Sequence, residues 1–230
     1  MSIFLNLDGS FGRGVVFPQR GNGRPEAGGR HGMASRDEIR DTLFPLFVND
    51  NPFRRLLLPP RRLTKPFVEP GQTAADLGCG PGYYTLALAE YVGPEGKVYA
   101  VDVDEKPVRA LEKKARERGF DNIEAHVSSA SGLAFIADAS VDFVLANGLL
   151  CAMAPRHHES TVSEIARILK PGGRAYLSVA RGPWSHVDGA EWEKILEEFR
   201  VEHRGGRVPL IAHRWAVVSR FSASSRKAGM

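Results

Sequence analysis

The chain has little that would tie it to an oxidising compartment or a membrane. Only two cysteines, Cys79 and Cys151, occur in 230 residues. That is too few for a disulfide framework, so a reducing, cytoplasmic setting is expected. No apolar run approaches the roughly 18 residues needed to cross a bilayer, and no membrane insertion is expected. The first residues are mildly apolar (Ile3, Phe4, Leu5) but have neither a basic lead nor a long apolar stretch, which argues against a secretory signal. Strong charge imbalance is missing too: 31 basic against 27 acidic residues leave a net charge of +4. With a sequence pI near 9.2, an anionic partner such as nucleic acid is permitted but not required. What is present is 43% hydrophobic residues, enough to bury one substantial core.

Composition divides the chain. Residues 1–32 scatter Gly, Arg and Pro without a helical or strand period, as in Gly12-Arg13-Gly14 and Gly28-Gly29-Arg30, and read as a flexible arm. Its basic charge is also the feature that would tether an anionic surface. Residues 33–66 read as a helical cover segment. Ser35-Arg36-Asp37-Glu38 has capping-box spacing before Ile39, Leu43, Phe44 and Phe47, with a break at Pro45. Asn51-Pro52 offers a second helix start before Phe53 and Leu56-Leu57-Leu58, ended by Pro59-Pro60. Residues 221–230 read as a flexible tail.

Between these, residues 67–220 alternate strand and helix. Strands are expected at 73–77, 97–101, 122–126, 141–146 and 174–180, and helices at 81–92, from the Asp104 cap to Gly119, at 160–169 and at 192–199. The nearly continuous apolar character of 141–146 suits a parallel strand covered on both faces. Pro171-Gly172-Gly173 makes a turn ahead of the fifth strand. Two last apolar segments, 201–208 and 212–218, meet at Pro209 with no helix between them, which fits an antiparallel pair. The fold class is therefore α/β: a Rossmann-like, seven-stranded, mostly parallel sheet with an antiparallel last strand and helices on both faces.

The stretch Ala74-Ala75-Asp76-Leu77-Gly78-Cys79-Gly80-Pro81-Gly82-Tyr83-Tyr84-Thr85 carries the chemistry. A short apolar strand followed by glycines and a helix brings backbone N–H groups close to a nucleotide-type ligand. The glycines fall at 78, 80 and 82, with Tyr83 where a dinucleotide-binding loop would have its third, so the pattern departs from Gly-x-Gly-x-x-Gly. Asp102 ends the second strand twenty residues beyond Gly82, placed to accept hydrogen bonds from both ribose hydroxyls.

In this combination the sequence resembles the class I S-adenosylmethionine-dependent methyltransferases, over about residues 67–220. Ala75 to Gly82 resembles their first motif, Val98 to Asp104 the second, Val141 to Asn147 the fourth-strand motif and Ile168 to Gly173 the turn before the fifth strand. It is most similar to the quinone-biosynthesis (UbiE-like) and related small-molecule enzymes, including Asn51-Pro52-Phe53-Arg54-Arg55 ahead of the core. The resemblance implies S-adenosylmethionine as cofactor. It implies that Gly78, Cys79 and Gly80, with Gly82 completing the loop, line the methionine part. Asp76 would orient the loop and the ligand amino group, Asp102 would hold the ribose and Val103 would pack on the adenine. Asn147 would sit by the methionine end. The acid that such enzymes usually place after the third strand is here Ser129, followed by Ala130; a hydroxyl accepts the adenine amino group more weakly than a carboxylate.

Methyl transfer from a sulfonium is an in-line displacement that asks the protein for alignment and exclusion of water, not for a covalent nucleophile. If the acceptor is a hydroxyl, a base helps, and His157, His158 and His186 are the candidates. Arg181 and Trp184 could shape an acceptor pocket. Neither Asn/Asp-Pro-Pro-Tyr nor Pro-Cys follows the fourth strand, where the chain reads Asn147-Gly148-Leu149-Leu150-Cys151, so nucleobase N-methylation and cytosine C5 methylation are set aside and Cys151 reads as a small buried residue. Adjacent His157 and His158, without a second Cys/His cluster, do not make a metal site. The expected acceptor is a small molecule, apolar or aromatic to match Phe44, Phe47, Phe53 and Leu56 to Leu58. The alternatives are an RNA or protein acceptor recruited by the arm, or a cofactor-binding partner protein without catalysis.

Overall fold

The computed structural model describes residues 59–181, 185–206 and 213–221. The readings of the arm, most of the cover segment, Trp184, the connection at Pro209 and residues 222–230 lie outside the described residues.

The described chain begins with a single helical turn, Pro60–Leu63. Pro60 therefore starts a helical turn, whereas the sequence reading has Pro59-Pro60 only ending one; proline at the first helical position costs no hydrogen bond. Strand and helix then alternate: β1 (Thr73–Leu77), α1 (Thr85–Val92), β2 (Lys97–Asp102), α2 (Glu105–Glu117), β3 (Ile123–Val127), β4 (Val141–Asn147), α3 (His158–Ile168), β5 (Leu169–Ala180), α4 (Gly189–Glu197), β6 (Arg200–Gly205) and β7 (His213–Ser219). Among the described residues these strands form one seven-stranded sheet in the order β3-β2-β1-β4-β5-β7-β6. The pairs among β1 to β5 are parallel, and β7 runs antiparallel to both β5 and β6.

Alternation along each strand divides the core between two faces. Ala75, Leu77, Val144, Ala146, Ala175 and Leu177 face one way, against Val162, Ile165 and Ile168 of α3 and Trp192, Ile195 and Leu196 of α4. Ala74, Val98, Phe143, Leu145 and Tyr176 face the other, against Leu88, Ala89 and Val92 of α1. Val108, Leu111 and Ala115 of α2 pack on that second face beside Ala100. Each fully buried Leu, Ile, Val or Phe contributes about 1.5–3 kcal/mol relative to exposure, so this two-sided packing fixes the register of the strands whose ends carry the site.

Most other boundaries lie within three residues of the sequence reading, helix α4 for instance spanning Gly189–Glu197 where 192–199 was expected; two further differences arise at glycines. Helix α1 starts at Thr85, because Gly82 has φ +87, which no helical residue adopts. A Cβ on Gly82 would also stand 2.4 Å from Leu111 Cδ1, so α2 packs where only glycine leaves room. The Pro171-Gly172-Gly173 turn lies within β5: Leu169 pairs with Val141 and Arg174 with Phe143, and the residues between loop out. Asp142 fastens that loop, its Oδ2 accepting from Lys170 Nζ at 2.7 Å and from the Thr73 backbone N–H at 2.9 Å.

Candidate active site

Because β1 to β5 run parallel, the segments that follow them emerge at one edge of the sheet. Strand order reverses between β1 and β4, which opens the crevice where ligands of doubly wound sheets bind. The chain after β1 is fixed by its own backbone: Gly78 and Cys79 N–H donate to the Val101 carbonyl at 2.8 and 3.0 Å, and Gly82 N–H to the Cys79 carbonyl at 3.1 Å. Gly78, Gly80 and Gly82 all have positive φ. A Cβ on Gly80 would meet nothing within 4 Å. The loop is thus tight on its protein side at Gly82 and open at Gly80.

Asp76 is buried beneath this loop. Its Oδ2 accepts the Thr85 hydroxyl at 2.6 Å, at the first residue of α1, where the helix dipole favours negative charge. Asp102 crosses to the loop: Oδ2 accepts Gly80 N–H at 2.9 Å and Oδ1 accepts Asp104 N–H at 3.0 Å. Each oxygen keeps a further lone pair, the capacity a vicinal diol requires. Cys79 is buried, and burial, reinforced by the Asp76 and Asp102 charges, pushes its thiol far above the ordinary value. It stays protonated and lines the loop without acting as a nucleophile.

Val103 follows Asp102 with 66% of its surface exposed, an apolar side chain standing free beside the loop. The backbone of Ser128 is tied to the Asp102 carbonyl at 2.9 Å, which brings the segment after β3 alongside. Ala130 is buried there, and the Ser129 hydroxyl lies 2.7 Å from that of Ser131 and accepts Ser131 N–H at 3.2 Å. At the end of β4, Asn147 Oδ1 accepts the Ser178 hydroxyl at 2.7 Å, and its Nδ2 donates to the Tyr84 hydroxyl at 3.4 Å. Gly148, at φ +74, turns the chain and donates its N–H to Ser178 Oγ at 3.1 Å.

A family model described as a methyltransferase domain matches residues 74–173. Residues 74–173 are a class I methyltransferase domain. The methyltransferase domain is 39% identical over 106 residues to the demethylmenaquinone methyltransferase of Geobacillus stearothermophilus, covering 46% of this chain and 44% of that protein. It is 35% identical over 123 residues to the nocamycin O-methyltransferase of Saccharothrix syringae, covering 54% of this chain and 42% of that protein. The chain thus spans less than half the length of these relatives. A solved structure of a SAM-dependent methyltransferase from Aquifex aeolicus superposes with a TM-score of 0.61 at 25% identity, over 81% of this chain and all of that one.

S-adenosylmethionine is the cofactor of this family, and the methyltransferase domain fits it. Gly80 leaves open space, Asp102 has lone pairs that a vicinal diol could occupy, and Val103 presents an exposed apolar side chain, a set of properties able to hold a ligand with a ribose and an aromatic base. The cofactor-side residues expected from the sequence lie near the C-terminal ends of β1, β2 and β4 (Asp76, Asp102, Asn147) or in the segments that follow β1, β2 and β3. No cluster of three or more His, Cys, Asp or Glu suited to a metal occurs among the described residues.

The three histidines separate. His158 is 2% exposed; Nε2 lies 2.8 Å from the Leu150 carbonyl and Nδ1 3.0 Å from Glu191 Oε1, so both ring nitrogens are engaged inside the fold. It joins α3, α4 and the turn Leu149–Ala152 rather than facing a ligand. His157 Nε2 accepts from Arg156 Nε at 3.2 Å. His186 is exposed, and its backbone N–H donates to the Cys151 carbonyl at 3.2 Å, which ties its backbone to the turn that follows Asn147. Cys151 is buried, with Sγ 3.2 Å from the Gly148 carbonyl. Burial raises its thiol pKa as well.

Sequence reasoning missed Tyr84, Thr85 and Ser178, the partners that orient Asn147 and Asp76. Ser178 carried a signal: a short hydroxyl side chain inside the largely apolar strand Ala175 to Ala180 needs a partner when buried.

Proposed function

We propose that the protein is an S-adenosylmethionine-dependent methyltransferase acting on a small, apolar or aromatic hydroxylated molecule. The observation that carries this reading is the bond from Gly80 N–H to Asp102, which couples the glycine loop to the acid in the arrangement a ribose-bearing sulfonium needs. The small-molecule acceptor is supported by the relatives, one named for demethylmenaquinone and one for O-methylation.

In this reading Gly78, Cys79, Gly80 and Gly82 hold the amino-acid end of the cofactor, Asp76 stiffens the loop through Thr85, and Asp102 takes the ribose hydroxyls. Val103, Ser129 and Ala130 enclose the base. Asn147, held by Ser178 and Tyr84, borders the reacting end. When bound, the cofactor would supply a sulfonium methyl that an acceptor heteroatom attacks in line, the S–CH3 bond breaking so that S-adenosylhomocysteine leaves with the bonding pair while the acceptor's proton passes to a base or to water. The protein aligns the two and excludes water, which is the main source of rate in such a reaction. His186 is the candidate base, because it is exposed and its backbone is tied to the turn Leu149–Ala152 that follows Asn147.

The test is methyl incorporation. Purified protein is incubated with methyl-labelled S-adenosylmethionine and a metabolite extract, with hydroxynaphthoquinols and simple phenols as defined acceptors. Label in a small organic product is expected. Label in RNA or protein alone would replace the acceptor class, and label in nothing would reduce the protein to a cofactor-binding partner.

A further inference from the structure

The segment between β3 and β4, residues 128–140, contains no helix or strand, yet in the proposed site it must hold Ser129 and Ala130 against the base. Its apolar anchors are Ala130, Leu133 and Ile136, all buried. Its polar anchor is a pair of side chains on α3. Glu164 Oε2 accepts Leu133 N–H at 2.7 Å. Arg167 donates from Nη2 to the Leu133 carbonyl at 2.9 Å and from Nη1 to the Ile136 carbonyl at 2.8 Å. It also donates to both Glu164 oxygens, at 2.7 and 2.9 Å, and to Asp138 Oδ1 at 2.6 Å. All five guanidinium N–H groups therefore have an acceptor. An ordinary surface ion pair three residues apart on a helix would tie the helix to itself. Here the pair reaches across to three backbone groups of the loop, and the return segment is stitched on by Ala139 N–H to the Arg167 carbonyl at 2.9 Å.

We propose that Glu164 and Arg167 are positioning residues for cofactor binding: a bidentate clamp that holds the loop bearing Ser129 and Ala130 in its base-enclosing form. The proposal rests on the cofactor reading above. The loop lacks the acid that would grip the base strongly, so recognition leans on a correctly placed backbone. A helix-free segment has no internal ladder to supply that placement, and the clamp supplies it from α3. The planar fork is essential to this, because two carbonyls and two carboxylates are served at fixed angles, which an ammonium cannot do.

The experiment uses the full chain and S-adenosylhomocysteine as probe, by isothermal titration well below the melting temperature, with hydrogen exchange of residues 129–136 read without ligand. R167K keeps the charge and most of the buried stem but loses the fork; it is expected to bind about tenfold more weakly, as loss of charge-assisted hydrogen bonds implies. Exchange across 129–136 is expected to quicken. E164Q, which retains shape and volume, is expected to shift in the same direction. D138A removes only the partner on a side chain 77% exposed, and its affinity is expected to stay within about twofold of wild type. Wild-type affinity in a folded R167K and E164Q, or equal weakening in D138A, overturns the clamp while leaving the cofactor reading intact. Failure of the wild type itself to bind removes the cofactor reading and the clamp with it.

Discussion

At the scale of single residues, the three loop glycines do different work, and substitution separates them. Gly82→Ala combines φ +87 with a contact of 2.4 Å to Leu111, and is expected to cost about 2–4 kcal/mol of stability by chemical denaturation. Gly80→Ala meets open space at φ +51, so it is expected to cost about 1 kcal/mol while obstructing the ligand side of the loop; its signature is weakened cofactor binding with a nearly normal melting curve. Thr85→Val leaves the buried Asp76 without its 2.6 Å hydroxyl donor and is expected to destabilise by about 1–3 kcal/mol. That Asp102 and the glycine loop come together was legible in the sequence, because their spacing along the chain is itself the signal. Ser178 and Tyr84 were not, since their partner Asn147 is distant in sequence and comes near only through sheet pairing and the packing of α1. His158 misled: a histidine near the right strand looks like a base until its two ring partners, on Leu150 and Glu191, are seen.

At the scale of elements, strand β1 was read to the residue and helix α2 to its Asp104 cap, because a buried parallel strand and an amphipathic helix each write their period into the sequence. The start of α1 was read four residues early. The hydrophobic period continues back through Pro81, and only the left-handed Gly82 stops the helix there. Residues 128–140 gave no periodic signal at all, and their placement depends on α3. Hydrogen bonds from Arg167 hold the Glu164 carboxyl below its ordinary value. A carboxylate depressed in the folded state stabilises fully above its unfolded pKa of about 4.3 and loses that contribution as pH falls through the depressed value. Exchange of amides 129–136 is therefore expected to be flat from neutrality down to about pH 5 and, after correction for intrinsic rates, to rise below about pH 4. A rise beginning near pH 6 would point to a histidine instead.

At the scale of the whole molecule, the mostly parallel sheet with its trailing antiparallel strand was legible from the alternation of strand and helix and from the lack of a helical period between the last two apolar segments of the sequence. The order of strands was not, because nothing local in a strand says which neighbour it takes. That order places the segments after β1, β2, β3 and β4 around one crevice, and the central claim is that this crevice binds S-adenosylmethionine with Asp102 on the ribose. The direct measurement is isothermal titration of S-adenosylmethionine into the 230-residue chain and its Asp102→Ala variant, side by side. Wild type is expected to bind at one site with Kd below about 100 μM, and the variant at least about tenfold more weakly, the loss of more than about 1.4 kcal/mol. Absence of binding to wild type, or equal affinity in the two proteins, would contradict it.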